Sequence, residues 1–565
     1  MKLKSTIDII ISVALETTNI PNPNLSVTKT TKKEFGDFQY NGAMGLAKKL
    51  QANPREIATK IIAEIDSEVI EKVEIAGAGF INIWLSKKWL SKELELISKD
   101  LNLGIQKAGK RQNVIVDYSG PNMAKEMHVG HLRSTIIGDT LSNLFELLGH
   151  SVIRQNHIGD WGTQFGMLIA YLEELESTTN TKENLKDLEE FYKLAKKRFD
   201  EDATFANKAR EYVTKFQSGN QHCLKLWKRF IDISLEHCEE VYERLEIKLT
   251  RDDVKAESSY NEMLAPIVEK LEDESLLSLS EGAKCVFLPQ SDIPLIIQKS
   301  DGGYLYATTD LAALWYRNDT LKADKILYVV DARQSEHFKQ VFWVAKAANI
   351  VQKDVSLGHI AFGTMMNEQG KPFKTRDGGT FKLIDLIDEA VERAKNTLKD
   401  KEDTQEDIEQ KAKIIGIGAL KYADLSVNRE SNYIFNWDRM LSFEGNTALY
   451  MQYAYARIQS ILRKYDGMIE GDIIIQSDIE HELSVTLLEF EDILNKSANE
   501  CMPSHITSYL YELATLFMRF YEQSPILKNE IEHKTKISRL LLAKITADTI
   551  KQGLAILGIK TLEKI

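Results

Sequence analysis

The residues best suited to chemistry are His128 and His131, separated only by Val129 and Gly130. They stand where a strand-like run at 114–119 (VIVDYS) and a loop give way to apolar residues of helical period, Ile136, Ile137, Leu141, Leu144 and Leu148. Unpaired backbone N–H groups and the positive end of the helix dipole collect at such a helix start. Two imidazoles there can donate to phosphate oxygens, and Gly130 lets a base or ribose lie against the backbone. The chemistry implied is stabilisation of a pentavalent phosphorus as charge develops. A second feature is the segment GKPFKTRDGGTF at 370–381, with Lys371, Lys374 and Arg376 set among glycines. A cationic loop of this composition can close over a pyrophosphate leaving group and then release it.

The elements that must position these residues follow from pattern and length. A chain of 565 residues suggests three or four domains. Residues 1–105 read as a small α+β domain, opened by a helix with Ile7, Ile10, Ile11, Ala14 and Leu15 on one face. Asp8 interrupts that apolar run, so a signal peptide is not expected. Residues 106–382 have α/β character. One strand–helix–strand unit surrounds His128 and His131. Another runs through KILYVVDARQ, SEHFKQVFWVAKAAN and VSLGHIAFGTM, with further strand signals at AKCVFLP and PLIIQKS. A charged helical insertion near 171–255 splits them, which is the plan of a doubly wound, Rossmann-like domain. Residues 383–445 read as a helical connecting segment, and 446–565 as an α-helical bundle.

Composition narrows the function classes. The 84 acidic residues outnumber the 72 Lys and Arg, giving a formal charge of −12. A uniformly basic nucleic-acid coat is excluded, but a local basic groove is not. The four cysteines, 223, 238, 285 and 501, form no CxxC pair. His222-Cys223 and His237-Cys238 resemble a metal quartet. On one helix they would lie about 22 Å apart, so no structural metal is expected. No apolar stretch reaches the ~18 residues of a membrane span. A cytoplasmic monomer is expected, with no membrane partner.

The segment VDYSGPNMAKEMHVGHLRSTIIGD resembles the HIGH region of class I aminoacyl-tRNA synthetases, and in detail that of arginyl-tRNA synthetases. The similarity continues through NHIGDWGTQFGMLIAYL, DGGYLYATTDLAA, YVVDARQ, GKPFKTRDGGTFKL and GNTALYMQYAYARI, over nearly the whole chain. FKTRDG departs from the KMSKS pattern of the class. The resemblance implies an arginine–tRNA ligase that uses ATP with Mg²⁺ as substrate. It makes arginyl-adenylate and pyrophosphate, and then transfers arginine to the 2′-hydroxyl of the terminal adenosine of tRNA(Arg). Activation would need bound tRNA. Carried over by position, His128, Gly130, His131, Lys371, Lys374 and Arg376 would meet ATP, with Lys125 or Lys374 stabilising pyrophosphate. Asp117, Gly120, Pro121, Asn122, His131, Tyr306, Asp310 and Gln334 would meet arginine, and Asp310 can accept two parallel bonds from the guanidinium. The last domain resembles a DALR-type anticodon-binding bundle, where Tyr450 and Tyr453 would stack on bases. Phe38, Gln39 and Asn41 of the N-terminal domain would meet the tRNA corner.

Three rival readings stand beside this one. Another HxGH-type nucleotidyltransferase would have no use for the large helical C-terminal domain. A non-catalytic tRNA-binding relative would not need His128, His131, Lys374 and Asp310 intact. A ligase for a different amino acid is a third possibility, although no editing-sized insertion is evident.

Overall fold

The structure is a computed structural model that describes residues 3–18, 25, 27–123, 125–179, 188–289, 291–373, 381–398 and 404–565. The chain divides into two compact units. One holds 108–441 with 556–559, and the other holds 1–107, 442–555 and 560–565.

In the first of these units the run VIVD becomes the strand Asn113–Asp117, whose Val114, Ile115 and Val116 are wholly buried. Such a continuous apolar run suits a strand covered on both faces. It pairs in parallel with Ser151–Gln155 on one side and Lys325–Tyr328 on the other, and the latter pairs in parallel with Ser356–His359. The helix Val129–Leu147 links the first two strands in sequence, and Ser335–Ala347 links the last two. The chain therefore leaves Asn113–Asp117 toward one edge and later fills the other side. The crossover point lies between Asp117 and its register partner Tyr328. Ligands bind outside strand carboxyl ends at such a point.

A buried guanidinium holds this crossover together. Arg317, on the helix Tyr306–Asp319, is fully buried. It donates to Asp117 Oδ2 at 2.7 Å and Gln155 Oε1 at 2.6 Å, and its Cζ lies 4.8 Å from the centre of the Tyr328 ring. One side chain thus touches the ends of three adjacent strands. The helix Val129–Leu147 is buried from Leu132 through Phe145. It approaches the sheet closely enough that a Cβ on Gly138 would fall 2.2 Å from Tyr118. Its Arg133 reaches Asp424 of the helix Gln405–Leu425 at 2.9 Å, and donates to the carbonyls of Gly363 at 2.7 Å and Ser431 at 3.1 Å. The connecting segment is thereby fixed to the helix that begins with the two histidines.

The strands expected at AKCVFLP and PLIIQKS form as Ala283–Val286 and Leu295–Gln298, outside the parallel sheet. With Leu277–Ser280 they form a separate three-stranded antiparallel sheet, whose short hairpin connections suit antiparallel pairing. The insertion starts at Thr163 rather than near 171, and comprises Thr163–Thr179, Leu188–Glu201, Ala203–Gln217 and Gln221–Arg244. His222, Cys223, His237 and Cys238 share the last of these helices. Among the described residues no group of three or more His, Cys, Asp or Glu could hold a metal ion, and no helix is long and apolar enough to cross a membrane.

The other unit opens with a four-stranded antiparallel sheet in the order Val27–Lys29, Phe38–Tyr40, Phe80–Leu85, Ile70–Ala76. In Phe38–Tyr40 the outer residues are buried, at 2% exposure for Phe38. Period-2 alternation sends Phe38 into the core, so it is not on the surface expected to meet RNA. Gln39 faces the other way and donates to its register partner Asn82 at 2.7 Å. Asn41 caps the helix Gly42–Leu50 by position without a side-chain bond to it. The bundle helices include Ala448–Arg463, Asp478–Leu488, Phe490–Glu500 and Ser504–Gln523. Polar ties join the sheet domain to them, with His481 Nε2 at 2.9 Å from Asp37 Oδ1 and Lys29 at 2.6 Å from Glu489.

Burial pushes the Asp424 carboxyl up from its usual range while Arg133 holds it down. Removing one member of such a pair strands a buried charge, at about 3–5 kcal/mol, whereas replacing both is often near neutral. Arg133→Met is expected to lower the melting temperature sharply, and adding Asp424→Leu should recover much of it. A double variant that melts no higher than the single one would refute the pairing energetics.

Candidate active site

The site is built on the loop that leaves the strand Asn113–Asp117. Ser119 and Gly120 both take left-handed backbone, with φ of 72° and 53°. For Ser119 this costs about 1–3 kcal/mol and must be held by its surroundings. Ser119 N donates to Ser134 Oγ at 2.9 Å, Ser119 Oγ lies 2.7 Å from the Tyr242 hydroxyl, and Gly120 N donates to Asn156 Oδ1 at 3.0 Å. Asn156 Nδ2 in turn donates to the Tyr242 hydroxyl at 3.0 Å, so the insertion helix braces the turn. Pro121 accepts from Gly159 N at 3.2 Å, and Asn122 pairs with Gly159 across the loops. This holds the exposed Asn122 at the mouth of the crossover.

The histidines cap the helix reciprocally. His128 Nδ1 accepts from Gly130 N at 3.0 Å, and His131 Nδ1 accepts from His128 N at 3.1 Å. Each acceptor role places the ring proton on Nε2, so each neutral ring keeps one N–H donor. Their centroids are 4.0 Å apart. Burial, then the neighbouring His128, holds the His131 imidazole down to about 3, so it stays neutral at pH 7. The geometry also gives a nearer reason for Gly130 than room for a nucleotide. A Cβ there would lie 2.7 Å from Cε1 of His128, whose ring folds back over the helix start.

The cations are divided. Lys125 is exposed, with Nζ 4.6 Å from the centre of the Tyr192 ring on the insertion helix Leu188–Glu201. Lys371 is exposed in a turn where Asn367 N donates to its carbonyl at 2.8 Å. Lys374 and Arg376 lie outside the described residues.

The proposed guanidinium ligands sit around the second half of the sheet. Tyr306 and Asp310 occupy the first turns of the helix Tyr306–Asp319, as their spacing predicts, and Tyr306 is 65% exposed. Asp117 differs from the expectation, because its buried carboxylate is already engaged by Arg317 at 2.7 Å. That internal guanidinium takes the place expected for a ligand on this oxygen. Gln334 lies beyond the end of its strand. The strand ends at Tyr328, and Gln334 is exposed in the turn Ala332–Gln334 ahead of the next helix.

Two further groups belong to this place and carry no motif. His337 Nε2 is 2.6 Å from Asp310 Oδ2, and its ring centroid is 4.8 Å from that of Tyr306. It stands three residues after Gln334 in ARQSEHF, the one signal that could have marked it. Glu257 begins the turn Glu257–Tyr260. Its carboxyl is pushed up to about 7 by burial and by the nearby carboxylates of Asp160 and Asp310. Asp160 itself is buried and accepts from Ser258 N at 2.9 Å.

In the other unit, Tyr450 and Tyr453 lie on Ala448–Arg463 and are both partly exposed. The Tyr453 hydroxyl accepts from Arg457 at 3.1 Å and its ring meets Phe443 edge-on at 6.2 Å, while Tyr450 meets Tyr511 at 5.8 Å. They form an aromatic surface cluster rather than a buried core.

Comparison with known proteins places these arrangements in a family. The family described as tRNA synthetases class I (R), catalytic domain, matches residues 94–437. The DALR anticodon binding domain matches 451–565, and the arginyl tRNA synthetase N terminal domain matches 3–85. The arginine–tRNA ligases of Cellvibrio japonicus and Hahella chejuensis are 51% and 52% identical, with full coverage of both chains. Among solved structures, the arginyl-tRNA synthetase of Plasmodium falciparum superposes with a TM-score of 0.88 at 33% identity, covering all of both chains. That of Thermus thermophilus gives 0.85 at 22% identity over all of both, a likeness of fold. With its capped histidine pair at the crossover of a parallel sheet and these matches along its whole length, the chain belongs to the arginyl-tRNA synthetase family of class I aminoacyl-tRNA synthetases.

Proposed function

We propose that this chain ligates arginine to tRNA(Arg) at the crossover site. The observation that carries the reading is the reciprocal His128–His131 cap, which keeps two neutral Nε2–H donors beside a helix N-terminus. In the first step an oxygen of the arginine carboxylate attacks the α-phosphorus of ATP. The bond to the bridging oxygen breaks, and pyrophosphate leaves with its electron pair. Charge accumulates on the equatorial oxygens of the α-phosphate, where preorganised donors lower the barrier most. Mg²⁺ arrives with ATP as part of the substrate. Lys125 and the cationic loop of Lys371, Lys374 and Arg376 are the groups suited to the departing pyrophosphate.

In the second step the 2′-hydroxyl of the terminal adenosine attacks the arginyl carbonyl, and AMP leaves. Specificity rests on the acidic end of the site. Asp310 accepts the guanidinium, with Tyr306, Asn122 and Gln334 around the substrate and Glu257 adding charge. The paired Asp117 acts mainly by holding Arg317. Tyr450 and Tyr453 offer stacking faces to unpaired anticodon bases, and Gln39 and Asn41 are the groups of the N-terminal domain left to meet the tRNA corner. The protein works as a cytoplasmic monomer in this reading.

Incubation with bulk tRNA, ATP and each proteinogenic amino acid in turn should yield charged tRNA with arginine alone. Charging with another amino acid, or with none, would overturn the reading.

Glu257 gives a pH test. Below about 7 its carboxyl is protonated, and above that it adds negative charge beside Asp310. The arginine KM should therefore fall as pH rises from about 6 to about 8, and Glu257→Gln should flatten that slope. An identical slope in the variant would remove Glu257 from the arginine site.

A further inference from the structure

We infer that His337 is a positioning residue for arginine recognition, fixing the carboxylate of Asp310 and the ring of Tyr306 with one imidazole. The inference deepens the reading above and rests on Asp310 as the guanidinium ligand. Asp310 and Tyr306 are neighbours on one helical face, four residues apart at the start of Tyr306–Asp319. Their own helix does little to hold either one. Tyr306 is its first residue and is 65% exposed. Among the described residues, no other side chain forms an ion pair with Asp310.

His337 comes from a different element, the first turn of Ser335–Ala347. Its Nε2 lies 2.6 Å from Asp310 Oδ2, and the two side chains are only 13% and 16% exposed. A nitrogen at that distance from a carboxylate oxygen carries the proton and donates it, which leaves Oδ1 for a ligand. The same ring meets Tyr306 at 4.8 Å and 60°, and is itself backed by Phe338 at 5.3 Å and 68°. The imidazole is thus held between a packed aromatic and the two groups that would grip the substrate. Ordering a carboxylate and a tyrosine before arginine arrives reduces the side-chain entropy lost on binding.

The guanidinium lies at the far end of arginine from the reacting phosphorus, so its contacts serve bound substrate and transition state alike. A fault there raises the arginine KM and leaves kcat near its starting value. General damage to the fold would instead depress kcat and disturb the ATP KM as well.

The test is steady-state aminoacylation by the full-length protein with tRNA(Arg), varying arginine and ATP separately. His337→Phe keeps an aromatic face for Tyr306 and removes the donor to Asp310. His337→Gln keeps a donor near the position of Nε2, and His337→Leu removes both features. We expect the arginine KM to rise about tenfold in His337→Phe, the size expected for losing one hydrogen bond to a charged group. The rise should be larger in His337→Leu and recover to within about threefold of wild type in His337→Gln. The kcat and ATP KM should stay near wild type throughout. In an Asp310→Asn background, His337→Phe should add little, because the carboxylate it orients is gone.

If Asp310→Asn leaves the arginine KM unchanged, Asp310 is not the guanidinium ligand and the underlying reading fails. If Asp310→Asn raises it, the positioning role is overturned by any of three results: an unchanged arginine KM in both His337→Phe and His337→Leu, a gain in His337→Gln as large as in His337→Phe, or multiplying effects in the double variant. Should His337→Phe fold poorly, His337→Leu and His337→Gln decide the matter by the same comparison.

Discussion

The structure depends on one buried charge pair at the point where the strand order of the parallel sheet reverses. Arg317 has no access to solvent, and its guanidinium is shared between Asp117, Gln155 and the face of Tyr328. An unpaired guanidinium there would be very costly, so these partners are obligatory. Because they end three neighbouring strands, satisfying the charge also fixes where the strands stop. The Ser119–Gly120 turn, Asn122 and the histidine cap all start from that fixed edge. The same pair occupies Asp117, whose Oδ2 already accepts from an internal guanidinium and so is built into the floor beneath the strand ends.

The edge alone would present a loop, and the histidines turn it into a device. Each ring spends its Nδ1 on a backbone N–H at the helix start, a task usually given to serine or aspartate. Imidazoles in that task keep Nε2 out of the capping bonds, whereas an aspartate would bring charge that repels phosphate. Arg133 then carries the position of this helix to Asp424 and to the carbonyls of Gly363 and Ser431, on the segments before and after the cationic loop. Placement of the signature helix and of the loop's flanks is thus a single packing problem.

Much of this is legible in the sequence where local pattern and tertiary environment agree. The continuous apolar run VIV marks a doubly covered strand, and HVGH followed by helical periodicity marks a capped helix. The spacing of Tyr306 and Asp310 puts them on one face. Legibility fails where environment overrides pattern. Phe38 looks like a surface aromatic in a glycine corner, but three residues of strand are enough to turn it into the core. AKCVFLP and PLIIQKS form strands as their pattern suggests, but the sheet they join is set by hairpin connections that the pattern does not show. Arg317 resembles an ordinary basic residue near a helix C-terminus. Glu257 and His337 belong to no motif, and only the crossover brings them to Asp310.

The Arg317 pair sets the strand ends and, through them, the site. Amide hydrogen exchange on Arg317→Met tests it most directly, since exchange reports local opening residue by residue. Loss of protection should appear together at 115–119, 153–157 and 326–329 and extend into the start of the helix Val129–Leu147. The antiparallel sheet at 277–298 and the helices Ala448–Arg463 and Ser504–Gln523 should keep theirs. Unchanged protection at the three strand ends, or an even loss over the whole molecule, would contradict the account.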